Sequence, residues 1–156
     1  MPRTMIELDP VSRITIDAAG QPGQRVFYLQ AEKDGQVYTV LVEKIQILTL
    51  SEGIDQFLEE IAGQDAGRPA PAKVYLEERM HIQMPVDPLF RAGDMGLAYS
   101  TEVDRVCLIV RAIVSGEVPE EDGDELRLWA SREQMAALSA WAVDLAGRGR
   151  PICPQC

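Results

Sequence analysis

The residues best suited to metal chemistry are the last two cysteines of this 156-residue chain. Cys153 and Cys156 are separated by two residues, and Pro154 stiffens the turn between them. Two thiolates at this spacing can bind one zinc ion and are typical of half of a zinc ribbon. Tetrahedral zinc needs four ligands, so the pair supplies half of a structural site. We therefore expect zinc binding only where two further ligands complete the pair.

Three interpretations of this cysteine pair stay open. It can be one half of an interrupted ribbon, it can share a metal with the same pair of a second chain, or it can be a redox-active or inert surface dithiol. A thioredoxin-like role needs the pair near the start of a helix, where the helix dipole lowers the thiol pKa. Here the pair follows a predicted helix, and that position favours metal binding.

The other candidate nucleophiles and bases have simpler explanations. Cys107 lies in an apolar run, where a free cysteine behaves as a small hydrophobic side chain, so we expect it in the core. His81 is the only histidine, and we expect it to be structural or exposed. The acidic run 120–125 lacks the spacing of an EF-hand loop and is expected to be a solvated turn. Without a phosphate-binding loop, a dinucleotide fingerprint or a glycine-flanked serine, the sequence argues against an enzyme.

The charge of the chain disfavours several classes of partner. It carries 25 acidic and 15 basic residues, a formal net charge of -10. The basic residues are scattered, so we do not expect binding to a nucleic-acid backbone, which needs clustered lysine and arginine. No apolar run reaches the roughly 20 residues of a membrane span, and the N-terminus lacks the apolar stretch of a signal peptide. We therefore expect a cytosolic protein whose three cysteines are not a disulfide framework.

Hydrophobic period and turn residues predict the elements that would position these side chains. They indicate three strands followed by a helix, and then the same order again. The first helix begins at Lys44, and Gly53 in its interior costs about 1 kcal/mol relative to alanine. The second begins at Ser131, which can cap it together with Gln134, and ends at Gly147. The strands are predicted at 14–16, 26–29, 37–42, 95–99, 105–114 and 126–129.

The predicted fold is therefore α+β. We expect an antiparallel sheet of about six strands with two packed helices, and a chain of this length can bury a sizeable core. Residues 1–147 are predicted to form one domain, and residues 148–156 the stub of a zinc-ribbon-like tail.

An internal division of this domain is also predicted. A linker rich in glycine, alanine and proline at 63–71 separates halves at 12–63 and 89–147. The starts of the two helices match without a gap, with Glu43–Ser51 aligned to Ser131–Ser139. This match predicts a pseudo-repeat of two βββα units, although amphipathic periodicity alone can also produce it.

Four blocks of sequence occur together in this chain. The longest runs from Gly20 to Ala31 and reads Gly-Gln-Pro-Gly-Gln-Arg-Val-Phe-Tyr-Leu-Gln-Ala. The others are Glu43-Lys44 with Gln46, Phe90-Arg91-Ala92-Gly93, and Gly149-Arg150-Pro151 with Cys153, Pro154 and Cys156. Together they resemble a family of bacterial conserved hypothetical proteins with no assigned function, over almost the whole chain. The resemblance implies a small zinc-ribbon-like tail that continues past Cys156, and this sequence stops short of it.

These observations lead to competing functions. The leading hypothesis is a non-enzymatic binding or adaptor module whose zinc-ribbon-like tail contacts a protein partner. The alternative is a small-ligand-binding protein or enzyme in which Arg25, Gln30, Lys44 and Arg91 converge on an anionic ligand in a pocket between sheet and helices. Polar residues at strand ends usually satisfy backbone or surface partners, so only their convergence would support this alternative. A homodimer joined by a sheet edge or by its tails is a third hypothesis.

Overall fold

The computed structural model describes residues 4–20, 23–113 and 123–148. Within these ranges the chain forms seven strands and two α-helices, which confirms the α+β class. The strands are β1 (Met5–Leu8), β2 (Arg13–Ala19), β3 (Val26–Lys33), β4 (Gln36–Val42), β5 (Ala92–Ser100), β6 (Arg105–Ala112) and β7 (Glu125–Ala130). The helices are α1 (Lys44–Gln64) and α2 (Arg132–Arg148), and a short 3-10 helix covers Glu77–Arg79.

These strands form two sheets, whereas the sequence predicted one antiparallel sheet of about six strands. The first sheet has the order β2-β3-β4 and is antiparallel throughout. The second has the order β1-β7-β6-β5, and its β1 strand pairs in parallel with β7. Sequence reasoning missed β1 because this strand has only four residues and its partner lies near the opposite end of the chain.

The first sheet buries two chemically different faces. Ile16, Leu29 and Val40 stand side by side on one face and belong to the apolar core. Because strand side chains alternate between faces, their neighbours occupy the opposite face. That face carries a buried polar row, Thr15, Gln30 and Thr39. Residues 80–83 cover this face. Their main-chain groups accept hydrogen bonds from Thr15 and Gln30 and donate one to Gln30.

The two helices pack against each other at a pair of buried serines. The Oγ atoms of Ser51 and Ser139 are 2.8 Å apart, and each hydroxyl also lies 3.1–3.2 Å from the main-chain carbonyl oxygen of the other serine. Ser139 Oγ donates its proton to Asp55 Oδ1 at 2.7 Å and can accept from the Ser51 hydroxyl. Small side chains at this position allow the helix backbones to approach closely, and these hydrogen bonds satisfy both buried hydroxyls.

Both helices begin with the same capping arrangement. The Gln134 side chain accepts a hydrogen bond from the Ser131 main-chain N–H, and the Ser131 hydroxyl accepts one from the Gln134 N–H. At the start of α1, the Gln46 side chain likewise accepts from the Glu43 N–H, and the Glu43 side chain completes the capping box. The predicted cap at Ser131 is thus confirmed, and the first turn of each helix is fixed by local sequence.

The order of three strands and a helix occurs twice, as β2–β4 with α1 and as β5–β7 with α2. The segment before each set of strands pairs in parallel with the last strand of the other set. Strand β1 lies beside β7, and Arg91 lies beside Leu41 of β4. The Leu41 N–H donates to the Phe90 carbonyl at 3.0 Å, and the Leu89 N–H donates to Thr39 at 2.8 Å. Each sheet therefore contains a segment from the other half of the chain, and the repeat itself stays a prediction.

Candidate functional site

A groove opens on the surface between α1 and the neighbouring strand β5. Its cavity volume is about 560 Å³. The helix wall carries Ile45, Thr49, Gly53 and Phe57, which follow one another at steps of four along a single line of α1. The strand wall is formed by residues 93–97. The groove is mostly apolar, and Asp94 is the one charged side chain among the described residues that line it.

Both walls of this groove leave apolar surface in water. Ile45 is 66% exposed, and Phe57 and Leu97 are only partly buried. At the middle of the wall, Gly53 contributes no side chain. A Cβ atom placed on Gly53 would meet its nearest neighbour, Leu97 Cδ1, at 4.0 Å, an ordinary van der Waals distance. Alanine would therefore fit at a position where glycine costs helix stability, and the glycine widens the groove.

The strand wall of the groove is a sheet edge. Strand β5 is the last strand of its sheet, and it pairs with β6 on one side from Ala92 to Ser100. In the part of the chain that the structure describes, no strand pairs with its other side. Near the start of β5, the Gln46 side chain donates to the main-chain oxygens of Ala92 and Gly93, both at 3.0 Å. The groove thus combines an apolar wall with a sheet edge that no described strand occupies, and an added peptide strand uses both features.

A second groove lies between α2 and β2, with a cavity volume of about 380 Å³. Glu133 and Ala137 of α2 and residues 12–14 line two of its sides. The remaining side is formed by the chain itself, through residues 74–80. We call residues 74–83, which line this groove and cover the polar face of the first sheet, the covering segment. These residues follow the surface of α2: Glu77 Oε1 accepts a hydrogen bond from Arg148 at 2.7 Å.

Trp141 of α2 lies beneath the covering segment and is only 1% exposed. Its Nε1 donates to the main-chain oxygen of Ile16 in β2 at 2.5 Å. The rings of Tyr75 and His81 meet the indole edge-on, with centroids at 5.4 and 5.7 Å, and the Arg148 guanidinium lies 5.1 Å from its centre. Beside the second groove, the Trp141 side chain therefore contacts both the sheet and the covering segment.

Gly53 and Trp141 occupy corresponding places on their helices. Each comes two residues after the serine through which the helices meet, Ser51 or Ser139. Trp141 reaches β2, the first strand of one set of three, and the space above Gly53 faces Leu97 of β5, the first strand of the other set. A buried tryptophan therefore stands beside the α2–β2 groove at the position where the α1–β5 groove has a glycine.

The polar face of the first sheet holds the covering segment in place. Gln30 is fully buried. Its Oε1 accepts from the Gln83 N–H and from Arg13, both at 2.8 Å, and its Nε2 donates to Thr39 Oγ1 at 3.1 Å. The Gln30 amide thus supplies internal partners for main-chain and side-chain groups that are removed from water.

An aspartate and the only histidine meet beside this network. Asp17 Oδ2 accepts from the Ile82 N–H at 3.0 Å and lies 3.1 Å from His81 Nδ1. The half-exposed His81 ring places Nε2 3.6 Å from Glu77 Oε2. A carboxylate that orients an imidazole is one part of a catalytic triad, but within the described residues the ring pairs with two carboxylates rather than with a nucleophile. Sequence reasoning missed the Asp17–His81 pair because the two residues come from distant segments.

The four residues proposed for an anionic ligand lie in two places. Arg25 precedes β3 and Lys44 begins α1, and the pairing of β3 with β4 brings these two chain segments to one end of the first sheet. Arg91 is at the same end, where its Nη1 lies 3.5 Å from Glu43 Oε1. Gln30 is buried farther along β3. None of the four is among the described residues that line the open groove, and their shared role stays a prediction.

The remaining candidates are cysteines and carboxylates. Cys107 is buried as expected, and burial raises the pKa of its thiol to about 11, far from a reactive thiolate. In the described parts of the chain, no three His, Cys, Asp or Glu side chains are placed to hold a metal. Cys153 and Cys156 lie outside the described residues, as does the start of the acidic run, 120–122. Two thiolates at their spacing suit two positions of a tetrahedral zinc site, so zinc binding stays a prediction.

The comparisons with known proteins agree with the resemblance seen in the sequence blocks. No described helix combines the length and the apolar character of a membrane span. No curated protein and no solved structure matches the chain. A family model described as "protein of unknown function (DUF3090)" matches residues 6–156. Because that match covers nearly the whole sequence, the chain belongs to the DUF3090 family of proteins of unknown function.

Proposed function

We propose that this protein is a binding module, and that the groove between α1 and β5 takes an extended segment of a protein partner. The observation that carries the proposal is the contrast between two corresponding grooves. Residues 74–80 of the chain form one wall of the α2–β2 groove, which we therefore call the covered groove, whereas only α1 and β5 supply described residues to the α1–β5 groove, the open groove.

The contrast has meaning if the two halves are a pseudo-repeat. Three features support that interpretation: the repeated βββα order, the reciprocal exchange of the segments that flank β4 and β7, and the contact of Ser51 with Ser139. In a structure with approximate twofold symmetry, two residues at equivalent positions meet each other at the axis, as these serines do. Their alignment by sequence and their contact in space are independent observations.

The repeat aligns the two helix walls residue by residue. Ile45 and Thr49 of α1 correspond to Glu133 and Ala137 of α2. The two residues of each pair lie as far apart along the chain as Ser51 and Ser139 do. The covered groove thus carries a charged residue at its outer end, and the open groove carries an exposed isoleucine. Removing the exposed part of Ile45 from water would contribute about 1–2 kcal/mol to binding. Main-chain groups of the β5 edge beyond Ala92 and Gly93, whose carbonyls accept from Gln46, would add hydrogen bonds to the same partner segment.

A library of random twelve-residue peptides, selected on the full chain, tests the proposal. We expect binders whose affinity falls at least tenfold on Thr49→Arg, because Thr49 is exposed and lines the groove. Val143→Arg is the matched control, since Val143 is an exposed residue of α2 away from that lining. Peptides that bind wild type and both variants equally, or a selection without binders, would refute the proposal.

The same variants distinguish a second copy of the chain as the occupant. In that case the mass measured in solution would be that of a dimer, and Thr49→Arg would reduce it to that of a monomer. Such a result would replace the peptide partner with a homodimer joined through the β5 edge.

We further propose that Cys153 and Cys156 bind zinc when two additional ligands complete their site. The support is the donor set, two cysteines separated by two residues after the last helix. Elemental analysis of the protein with all four ligands present should find bound zinc. The double variant Cys153→Ser and Cys156→Ser should have none. A natural protein with a complete ligand set and no zinc would overturn this part of the proposal. The fold of residues 4–148 should persist without the metal, because their core contains no metal-binding group among the described residues.

A further inference from the structure

We infer that the partner segment inserts an aromatic side chain that carries a hydrogen-bond donor, tryptophan above all, into the space above Gly53. The inference rests on the proposed function, since it names the chemistry of the segment that the α1–β5 groove takes. It follows from what Trp141 does at the corresponding place in the other groove.

Trp141 is the largest of the fully buried side chains in the described residues. It joins three layers, because its ring lies under Tyr75 of the covering segment and its Nε1 donates to the Ile16 carbonyl of β2. In this half of the chain the aromatic group is therefore supplied by the helix, and the covering segment packs on it.

The open groove lacks this aromatic group and has the space for one. Gly53 stands where the alignment places Trp141, and the cavity there is about 560 Å³, against about 380 Å³ for the covered groove. The neighbours of that space are the side chains of Leu97, Phe57 and Met95. These are apolar walls of the kind that an aromatic ring fills with good shape complementarity.

The strand wall also offers an acceptor for the donor on the ring. Ile16, Leu29 and Val40 form one row across the first sheet, and Leu97, Leu108 and Leu128 form one row across the second. Val40 and Leu128 each lie three residues before the cap of the following helix, so Leu97 corresponds to Ile16. The nearest atom to a Cβ built on Gly53 belongs to Leu97, which agrees with this correspondence. An indole N–H entering above Gly53 would thus have the Leu97 carbonyl as its partner, as Trp141 has that of Ile16.

This chemistry separates an aromatic anchor from an aliphatic one. A leucine or isoleucine could fill part of the volume but could not donate to the strand, whereas tryptophan satisfies both requirements and dominates the energetics of many interfaces. Phenylalanine fills the space without a donor and should bind with intermediate affinity. The main-chain groups of the segment would then pair with the part of the β5 edge that the Gln46 side chain does not occupy.

The peptides selected on the full chain provide the test, through fluorescence anisotropy of synthetic copies. We expect an aromatic residue at one fixed position, and replacement of that residue by alanine should weaken binding at least tenfold. Gly53→Trp should weaken binding of the same peptides at least tenfold, because the new indole occupies the anchor site. Val143→Trp adds the same side chain at an exposed position of α2 and should leave affinity within twofold.

The outcomes separate this inference from the proposed function. Peptides that lose affinity on Thr49→Arg, but carry no aromatic anchor and bind Gly53→Trp as tightly as wild type, would overturn the inference and leave the groove as the binding site. A selection without Thr49-sensitive binders would overturn both. If circular dichroism shows that Gly53→Trp does not fold, Gly53→Leu takes its place and is expected to weaken binding by the same mechanism.

Discussion

Gly53→Ala should make the protein more stable and less able to bind. The position is inside α1, nine residues from its first residue and eleven from its last. Glycine there loses more conformational freedom on folding than alanine does, and its cost in a helix interior is about 0.5–1 kcal/mol. The structure shows whether the added methyl group would be accepted.

The size of the effect follows from the surroundings of Gly53. Its nearest neighbour to a new Cβ is Leu97 Cδ1 at 4.0 Å, the flexible end of a partly buried side chain. No clash opposes the gain in helix propensity, so we expect the free energy of unfolding to rise by about 0.5–1 kcal/mol. For a chain of this length that corresponds to an increase of about 1–4 °C in melting temperature.

Urea unfolding followed by circular dichroism measures this change directly. The midpoint should move to higher urea concentration with an unchanged slope, because the surface exposed on unfolding barely differs. Gly63→Ala is the matched control: it lies one residue before the end of the same helix, with open space around it, and should give a smaller gain. Peptide affinity at the groove should fall for Gly53→Ala and stay constant for Gly63→Ala.

Destabilisation by Gly53→Ala would contradict this reasoning. It would mean that the space above Gly53 is not available in solution, and that the glycine is kept for close packing rather than for an open groove. Increased stability with unchanged affinity for groove-binding peptides would show that Gly53 affects the stability of α1 but not peptide binding.

Three further predictions concern the fold that supports the groove. Trp141→Ala should lower the free energy of unfolding by about 3–5 kcal/mol, measured in urea, and a loss below about 1 kcal/mol would show that the indole does not join the layers. Gln30→Leu should cost about 1–3 kcal/mol for each buried group left without a partner, and an unchanged stability would mean that its internal hydrogen bonds are not formed. Hydrogen bonds from Arg132 and Tyr99 lower the pKa of Asp104 to about 2, so its stabilisation is complete above the unfolded pKa near 3.8 and is lost as the pH falls toward 2. Asp104→Asn should therefore be less stable than wild type at pH 6, and the difference should shrink on acidification; a constant difference would contradict the assignment.

Local sequence was sufficient to predict most of the elements. The capping box at Ser131 and Gln134 and the hydrophobic period of α1 depend on residues only three or four positions apart, and both were found in the structure. The three-strand groups were equally visible, because alternation and turn residues act over short distances. These are the features that single-sequence reasoning detects best.

The arrangement of sheets could not be predicted in the same way. Strand β1 is short and pairs with β7 from the other end of the chain, and the segment at Arg91 joins β4 by only a few hydrogen bonds. Parallel pairing over such separations leaves no local periodic signal. The sequence alone therefore suggested one sheet, where the structure has two.

The candidate site was visible only in part. Gly53 was noticeable as a costly residue in a helix, but the sequence did not indicate that it faces Leu97 of a distant strand. Gln30 was proposed as a ligand residue from its sequence block, and the sequence did not indicate the hydrogen bonds that its buried amide makes inside the protein. The pairing of Asp17 with His81 joins a strand to a distant irregular segment and had no sequence signal.

Amide hydrogen exchange with and without a selected peptide tests the central claim most directly. The account predicts slower exchange at main-chain amides of β5, within Ala92–Ser100, and at the groove side of α1 when the peptide is bound. The corresponding strand β2, beside the covered groove, should be unchanged. Protection at β2 and not at β5, or a bound peptide that protects neither strand, would contradict the proposal that the open groove is the binding site.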